Sequence, residues 1–218
     1  MARRPRYSIV TPVYAPPRAA FESCVASVLA QTSSDWQWCL VDDASPDPWV
    51  AARLAELQAS DPRIETYRRP RNGGIVAASN DALAMARGEF VVLLDHDDEL
   101  SHDALAEVDA VVDREPLVDY VYSDEDKITP AGEHYDEFRK PRWSPERLRA
   151  QNYCSHVSVI RASLVDAVGR FREGFDGSQD HDLILRVTER TRRIAHVPKV
   201  LYHWRAIPGS AAVHPGRS

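Results

Sequence analysis

Residues 90–100 read FVVLLDHDDEL, an apolar run that ends in a cluster of acids. Consecutive apolar residues are typical of a strand that is buried on both faces, as in the middle of a mostly parallel sheet. Asp95 and Asp97 follow directly, and two carboxylates one residue apart can present oxygens to a Mg²⁺ or Mn²⁺ ion held by a diphosphate. The alternative is that the acids solvate a turn, with Asp98 or Ser101 capping the next helix.

Strands alternate with helices along the first half of the chain. Tyr7–Val13 and Trp38–Val41 are β-branched or aromatic segments, and apolar residues then recur at helical spacing over residues 21–29. Asp47 as N-cap with Pro48 at the first helical position predicts the second helix. This alternation predicts a single-domain α/β fold with a mostly parallel central sheet flanked by helices, in which ligands bind beyond the carboxyl ends of the strands.

The same periodicity predicts the remaining elements. They are a strand at 64–67, a helix at 75–87 closed by Gly88, a helix from Ser101 to Arg114, a strand at 120–122 that ends in SDEDK, a strand at 157–160, a helix capped by Ser178, and an extended segment at 194–205. Acids at 42–43, 95–98 and 124–126 each follow a predicted strand. We therefore expect all three clusters at the open edge of the sheet.

Composition and charge exclude several classes of protein. The formal net charge is −6, whereas a nucleic-acid binder needs a positive surface for phosphate contacts. The apolar runs fall far below the roughly 18 residues that suggest a membrane span, and no apolar signal region follows the start, which predicts a cytoplasmic protein. Three cysteines without paired spacing predict buried thiols. Residues 1–6 form a basic tail that is either solvated or in contact with an anionic membrane surface.

Two further motifs could bind a nucleotide. In VDDAS, Asp42 or Asp43 can accept a hydrogen bond from a base or ribose, and the alternative is an acidic turn before the cap at Asp47. In RNGG, residues 71–74 can bring backbone N–H groups to a phosphate or ribose, with Asn80 on the following helix. A plain tight turn is the alternative, because the motif lacks the Walker A lysine and the dinucleotide pattern.

Residues in the second half could move a proton, bind a metal or contact a sugar. Asp180 and Asp182 stand at the start of a predicted helix, whose dipole would keep a carboxylate ionised and able to accept a proton. Ordinary first-turn acids are the alternative. His203, in LYHWR, is either a metal ligand through its neutral imidazole or a structural histidine. Trp143 either stacks on a sugar or belongs to the core.

Six motifs occur in a fixed order along the chain: YSIVTPVY, VDDAS, RNGGIVAASND, VVLLDHDD, GSQDHDL and LYHWR. With them the chain resembles a family 2 glycosyltransferase with the GT-A fold, which is Rossmann-like. The resemblance implies a catalytic domain at residues 7–210, between the basic tail 1–6 and a C-terminal tail 211–218. YSDEDKI, KPRWSP and QNY resemble the bacterial branch that builds surface polysaccharides.

The resemblance implies an activity and its partners. The expected enzyme moves a sugar, with inversion at the anomeric carbon, from a UDP- or dTDP-sugar to a hydroxyl of a saccharide or lipid-linked saccharide. It would need Mn²⁺ or Mg²⁺ and would work in the cytoplasm or at the inner face of the cell membrane.

The resemblance also implies roles for individual residues. Those expected to bind the nucleotide are Thr11, Pro12, Asp42, Asp43, Asn72, Gly73, Gly74, Asn80 and Asp95. The metal would be held by Asp97 directly, by Asp95, which lies nearer the ribose, and by His203. Asp180 matches the general base of the family's xED motif, in which Gln179 stands where Glu is usual. Those expected on the acceptor side are Asp124, Glu125, Trp143 and Gln179.

Two other functions fit the same fold. A sugar-phosphate nucleotidyltransferase would share the sheet, the metal and the nucleotide, but it normally has a Gly-rich, basic opening near the first strand, which YSIVTPVYAPP lacks. A noncatalytic nucleotide-sugar binding domain would need a broken base or metal set. Both sets are present in this sequence.

Overall fold

The apolar run forms a central strand, as predicted. The computed structural model describes residues 4–206, in which nine strands make one sheet of order β3-β2-β1-β4-β8-β6-β9-β5, with β7 paired to β6. The strands are β1 (Tyr7–Val13), β2 (Trp36–Asp42), β3 (Ile64–Arg68), β4 (Phe90–Leu93), β5 (Glu99–Leu100), β6 (Tyr120–Ile128), β7 (His134–Phe138), β8 (Ser158–Arg161) and β9 (Ile194–Arg205). The helices are α1 (Arg18–Leu29), α2 (Pro48–Ser60), α3 (Gly74–Met85), α4 (Ala104–Arg114), α5 (Pro145–Ala150), α6 (Ala162–Ala167) and α7 (Gln179–Arg190).

Most strands of the sheet run in one direction. β1 is parallel to β2 and β4, and β2 is parallel to β3. β8 is antiparallel to both β4 and β6, so β6 and its parallel neighbour β9 run the same way as β1. The short strands β5 and β7 are antiparallel to their neighbours. The predicted mostly parallel α/β sheet is confirmed.

The sheet separates two apolar cores. Successive residues of β1 point to opposite faces, so that Ile9 packs into one core and Val10 into the other. The first core contains the buried faces of α1, α2 and α4, and the second contains those of α3, α5, α6 and α7. Burying one such apolar side chain contributes roughly 1.5–3 kcal/mol. The two cores hold the sheet rigidly, and its carboxyl edge stays open to ligands.

Several local predictions are confirmed. The Asp47 carboxylate accepts a hydrogen bond from the Trp49 N–H and caps α2, with Pro48 at its first position. Cys24, Cys39 and Cys154 are buried free thiols. None of the helices within residues 4–206 has the length and apolar character required to cross a membrane.

Some predicted boundaries are wrong. α3 ends at Met85 with Ala86 as its C-cap, so Gly88 does not close it. Gly88 instead packs against β1, where an added Cβ would lie 2.4 Å from the backbone nitrogen of Ser8. Only glycine permits that close approach of two chain segments.

Other polar residues have different partners from those predicted. α4 begins at Ala104, after the short strand β5, and is capped by the side chain of neither Asp98 nor Ser101. Ser178 precedes α7 but makes no side-chain cap bond. β6 continues through residues 124–126, so this acidic cluster lies within a strand and not after one. The predicted tail boundaries at residues 210 and 211 lie outside the described residues.

Candidate active site

A cleft of about 380 Å³ opens at the carboxyl ends of β1, β2 and β4. Its lining consists of Pro12, Val13, Tyr14, Asp43, Asn72, Gly74, Ile75, Ala78, Asp95, His96 and Asp97. Six of these residues are predicted nucleotide or metal residues, from four separate motifs. The topology of the sheet therefore brings together residues that lie far apart in sequence.

Asp43 fixes one wall of the cleft. Its carboxylate accepts hydrogen bonds from the Gly73 N–H at 2.9 Å and the Gly74 N–H at 2.8 Å, and from the Arg69 guanidinium at 2.6 Å. Gly74 has a φ of 83°, a conformation that favours glycine. Asp42 is fully buried behind this wall, where its carboxylate accepts a bond from the Ser45 N–H at 2.8 Å. Of the two adjacent aspartates, Asp43 thus faces the cleft.

Two other predicted nucleotide residues support the cleft from behind. Thr11 is buried, and its hydroxyl accepts a hydrogen bond from the Trp38 indole N–H at 2.9 Å. The Asn80 side chain donates to the Phe171 carbonyl at 3.0 Å and accepts from the Phe171 N–H at 3.1 Å. Neither side chain belongs to the lining, and both have partners within the chain.

The acidic turn after β4 concentrates negative charge in the cleft. Burial raises the pKa of Asp97, and the neighbouring Asp95 charge raises it further, although His96 opposes this. Burial, together with the charges of Asp95 and Asp97, also raises the pKa of Asp98 well above its usual value. Neighbouring carboxylates repel one another when both are ionised, and a cation bound between them stabilises the ionised forms. The donor set of Asp95 and Asp97 therefore fits an oxygen-preferring divalent ion such as Mg²⁺ or Mn²⁺.

The last strand is fastened to this acidic turn. Asp98 accepts hydrogen bonds from the Tyr202 hydroxyl and, at 2.7 Å, from the Arg205 N–H. The Arg205 guanidinium also donates to the Asp97 carbonyl at 2.8 Å. His203 lies between Tyr202 and Arg205 on β9. The sequence alone gave no signal that Asp98 makes this connection.

His203 has two polar neighbours that the resemblance did not indicate. Its Nδ1 lies 2.6 Å from Asp126 Oδ1, and His134 Nδ1 lies 2.9 Å from Asp126 Oδ2. One ligand atom from each of the three side chains falls within 4.8 Å of the other two. The hydrogen-bond partner of the predicted metal histidine is therefore a carboxylate of β6.

Asp180 and Asp95 line a second, smaller cavity of about 20 Å³ next to the cleft. Burial raises the pKa of Asp180 to about 7, and the Asp95 charge contributes. Desolvation thus opposes the effect predicted for the helix dipole, which would keep Asp180 ionised. Burial would also raise the pKa of Asp182, but hydrogen bonds from Arg172 and Arg186 lower it overall.

The predicted acceptor acids have internal partners. Asp124 Oδ1 accepts from the Lys140 N–H at 2.9 Å and lies 2.7 Å from His196 Nε2. Glu125 accepts from the buried Lys140 ammonium at 2.8 Å. These contacts arise because β6 continues through both acids. They satisfy both carboxylates within the chain, with no contact to an acceptor substrate.

The other two predicted acceptor residues are partly engaged. The Gln179 carbonyl oxygen accepts from the Gly177 N–H at 2.7 Å, and its amide nitrogen lies 3.5 Å from Asp180 Oδ2. Trp143 is half-buried and packs on Tyr153 with 6.5 Å between ring centroids. Gln179 thus lies beside the candidate base, and Trp143 belongs partly to the core.

Of the five lining residues that sequence reasoning missed, Tyr14 and His96 have aromatic side chains. Tyr14 is 48% exposed and lines the cleft directly after β1. His96 Nδ1 lies 3.1 Å from the Pro12 carbonyl oxygen, a contact that joins the turn after β4 to the end of β1. An aromatic residue in the loop that follows the first strand was the available signal for Tyr14.

A larger opening, of about 780 Å³, lies at the amino ends of β1 and β4. Its charged side chains are paired within the chain: Arg6 with Asp109 at 2.6 Å and Arg161 with Glu89 at 2.7 Å. Ligands of such sheets bind at the carboxyl ends of the strands, and the acids of the cleft are absent here. We therefore assign the candidate site to the 380 Å³ cleft at the carboxyl ends of the strands.

Comparisons with known proteins agree with this geometry. The sequence profile described as Glycosyl transferase family 2 matches residues 8–169. The chain is 42% identical over 212 residues to the O-antigen biosynthesis protein RfbC of Myxococcus xanthus, covering 97% of this chain and 16% of that protein. It is 48% identical over 210 residues to the uncharacterized protein y4gI of Sinorhizobium fredii, covering 95% of this chain and 23% of that protein. The chain thus spans less than a quarter of the length of either relative.

A solved structure is similar in fold. The crystal structure of S. aureus TarS 1-349 in complex with UDP-GlcNAc superposes with a TM-score of 0.78 at 20% identity, covering 96% of this chain and 61% of that chain. Identity this low shows the fold alone. Because the family profile covers most of the chain and the sheet, cleft and acidic turn agree with it, the chain belongs to glycosyl transferase family 2.

Proposed function

We propose that the chain transfers a sugar, with inversion, from a UDP- or dTDP-sugar to a hydroxyl of a saccharide or lipid-linked saccharide in surface polysaccharide synthesis. The observation that carries the proposal is the sharing of Asp95 between two cavities. Asp95 and Asp97 line the cleft at the carboxyl ends of the strands, and Asp95 also lines the small cavity that contains Asp180. The proposed diphosphate site and the proposed proton acceptor would therefore lie side by side.

The nucleoside would occupy the wall formed by Tyr14 and Asp43. The exposed Tyr14 ring offers a face on which a base can stack, and aromatic stacking is available to any base. The Asp43 carboxylate, held in place by the Gly73 and Gly74 N–H groups, would meet the polar edge of the base or the ribose. This arrangement suits uracil or thymine equally, which is why both donors are proposed.

The diphosphate would lie over the acidic turn with a divalent cation held by Asp95, Asp97 and His203. When bound, the cation would offset the negative charge that develops on the departing diphosphate. The protein's own contribution is to hold its two carboxylates and the histidine in place before the donor arrives. Tyr202 and Arg205, which bond to the acidic turn, supply that rigidity.

Asp180 would act as the general base. Its carboxylate accepts the proton of the acceptor hydroxyl while that oxygen forms a bond to the anomeric carbon and the bond from that carbon to the diphosphate breaks. A pKa of about 7 suits this task, because the base is then partly ionised at neutral pH and still basic enough to take the proton. Gln179 and Trp143 would contact the acceptor, and Asp124 and Glu125 would act indirectly by holding Lys140 and its segment.

The cellular setting is part of the proposal. The relative RfbC is named as an O-antigen biosynthesis protein, which supports a role in surface polysaccharide synthesis. We propose a cytoplasmic location, and the basic start of the chain supports peripheral contact at the inner membrane face. Arg4 and Arg6 already bond within the chain, to the Gly88 carbonyl and to Asp109, so any such contact would be weak.

Ligand-dependent thermal stabilisation followed by a transfer assay tests this function. UDP or dTDP with Mn²⁺ should raise the melting temperature, since a ligand that binds only the folded state stabilises it. Asp97→Asn should lose the metal-dependent part of the rise, and Asp166→Asn, an exposed acid on α6, should keep it. Release of nucleoside diphosphate from a nucleotide sugar, dependent on an added saccharide, would distinguish transfer from binding alone. No stabilisation by any nucleoside diphosphate with Mn²⁺ or Mg²⁺ would contradict the proposal.

A further inference from the structure

We propose that Asp126 is a positioning residue that orients the His203 ring, so that Nε2 of His203 is free to bind the cation of the donor. This inference rests on the proposed function, because it takes His203 as a ligand of that cation. It assigns a role to an acid that the sequence indicated only as part of a cluster after a strand.

The contacts define the orientation. Asp126 Oδ1 lies 2.6 Å from His203 Nδ1, and the side chains are only 11% and 15% exposed. A carboxylate only accepts hydrogen bonds, so His203 must carry its proton on Nδ1. In the neutral ring Nε2 then keeps its lone pair, and this is the form of histidine that binds a metal. A carboxylate behind a ligating histidine is the common way in which proteins fix this form.

The backbone of His203 is already fixed next to the acidic turn. His203 pairs with Asp126 on β6 and with Glu99 on β5, two residues after Asp97. The neighbouring residues Tyr202 and Arg205 bond to Asp98 on the same turn. Rotation of the ring is the main freedom that the strand pairing leaves open. The bond to Asp126 removes that freedom.

His134 completes the arrangement from the β6–β7 hairpin. Its Nδ1 lies 2.9 Å from Asp126 Oδ2, and the side chain is 56% exposed. Each carboxylate oxygen thus faces one imidazole. The bond from His134 restrains Asp126, but the contact between Asp126 and His203 does not depend on it.

The distances favour positioning over direct ligation by all three side chains. Neighbouring ligand atoms around an octahedral Mg²⁺ at 2.0–2.1 Å lie about 2.9 Å apart. The contact between Asp126 and His203, at 2.6 Å, is shorter, and it has the length of an ordinary hydrogen bond. The two rings are themselves in edge-to-face contact, with 4.5 Å between their centroids, and each ring faces its own oxygen of Asp126.

Long-range proton–nitrogen NMR tests the orientation without metal, donor or activity. In the wild-type chain, the His203 signals should show the proton on Nδ1, and His203→Gln identifies these signals. In Asp126→Ala the proton should move to Nε2, and His102→Ala, which changes an exposed histidine elsewhere, should leave the pattern unchanged. A wild-type ring that carries its proton on Nε2 would overturn the inference.

Mn²⁺ affinity, measured by electron paramagnetic resonance in the presence of UDP, tests the consequence. Asp126→Ala should weaken Mn²⁺ binding by roughly 10–100-fold, the usual effect of removing such a partner, and leave metal-free UDP binding unchanged. Asp126→Asn keeps an oxygen that can accept a hydrogen bond from His203, so it should lose less Mn²⁺ affinity than Asp126→Ala. His134→Ala should also lose less Mn²⁺ affinity than Asp126→Ala, because the contact between Asp126 and His203 remains.

Two outcomes would overturn the inference: wild-type Mn²⁺ affinity in Asp126→Ala, or equal losses in Asp126→Ala and His134→Ala, which would indicate direct ligation by both. A different result is expected if His203 is not a ligand of the cation. In that case His203→Gln keeps full Mn²⁺ affinity, whereas the NMR result on the ring orientation stands by itself.

Discussion

The Tyr202 hydroxyl donates a 2.6 Å hydrogen bond to the buried Asp98 carboxylate, across 104 positions of sequence. The same hydroxyl accepts a bond from the Asp95 N–H at 3.3 Å. One tyrosine of the last strand therefore holds both ends of the turn that carries the candidate metal acids. The turn is a fixed part of the sheet edge and not a free loop.

Removing that hydroxyl should destabilise the fold. Tyr202→Phe leaves the fully buried Asp98 with one fewer donor, and an incompletely satisfied buried polar group costs about 1–3 kcal/mol. Urea denaturation should show this loss in the free energy of unfolding. Tyr67→Phe, at an exposed position of β3, should change it by less than about 0.5 kcal/mol. Equal stabilities of the two variants would argue against the anchoring role.

Asp180→Asn should separate binding from chemistry. The amide cannot accept the proton of the acceptor, so kcat should fall by about 10²–10⁴-fold, the range for a positioned general base. Stabilisation by nucleoside diphosphate and Mn²⁺ should persist, because Asp180 does not line the cleft that contains Asp95 and Asp97. Asp166→Asn is the matched control and should turn over normally. Normal turnover by Asp180→Asn would exclude it as the base.

The raised pKa of Asp180 should make both activity and stability depend on pH. Since the base must be ionised, kcat/KM should rise with pH through an apparent pKa near 7. Between its ordinary value of 3.8 and about 7, the folded chain holds this proton more tightly than the unfolded chain. The contribution of Asp180 to the free energy of unfolding is therefore full below about pH 4 and is lost as the pH rises through 7.

Asp180→Asn provides the comparison for this pH dependence. The variant should lose both the acid limb of its residual kcat/KM and this part of the pH dependence of unfolding. A bound cation would offset the Asp95 charge and should move the acid limb of the wild-type profile to lower pH. If the pH profiles of the wild type and Asp180→Asn superpose, Asp180 is not the base.

Tyr14 should contribute to donor affinity by stacking. Loss of one base–aromatic stack costs about 1–3 kcal/mol, so Tyr14→Ala should weaken UDP binding by about 5–150-fold in calorimetric titration. The ring is 48% exposed, so its removal should barely change the melting temperature. Tyr67→Ala removes a ring of similar exposure, 45%, outside the cleft and should bind UDP normally. Equal affinities for the two variants would exclude stacking on Tyr14.

The predictable part of the site follows from local patterns. Apolar periodicity located β1, β2 and β4, and the residues just beyond them, Asp43, Asp95 and Asp97, line the cleft as the parallel topology requires. Motif order then identified the family, which the profile match confirms. Between Asp42 and Asp43, sequence reasoning left the choice open, because alternation along a strand buried on both faces gives no signal at its end.

The sequence by itself determined the elements of the sheet, the family and the carboxylates at the strand ends, because periodicity, caps and motifs depend on residues close together in the chain. Tertiary structure alone decided that Asp126 meets His203 across 77 positions, that Asp124 and Glu125 face inward, and that burial raises the pKa of Asp180. Partners of this kind depend on strand order and register, and the pKa depends on how much water the folded chain excludes. Both are properties of the assembled fold and not of any short segment.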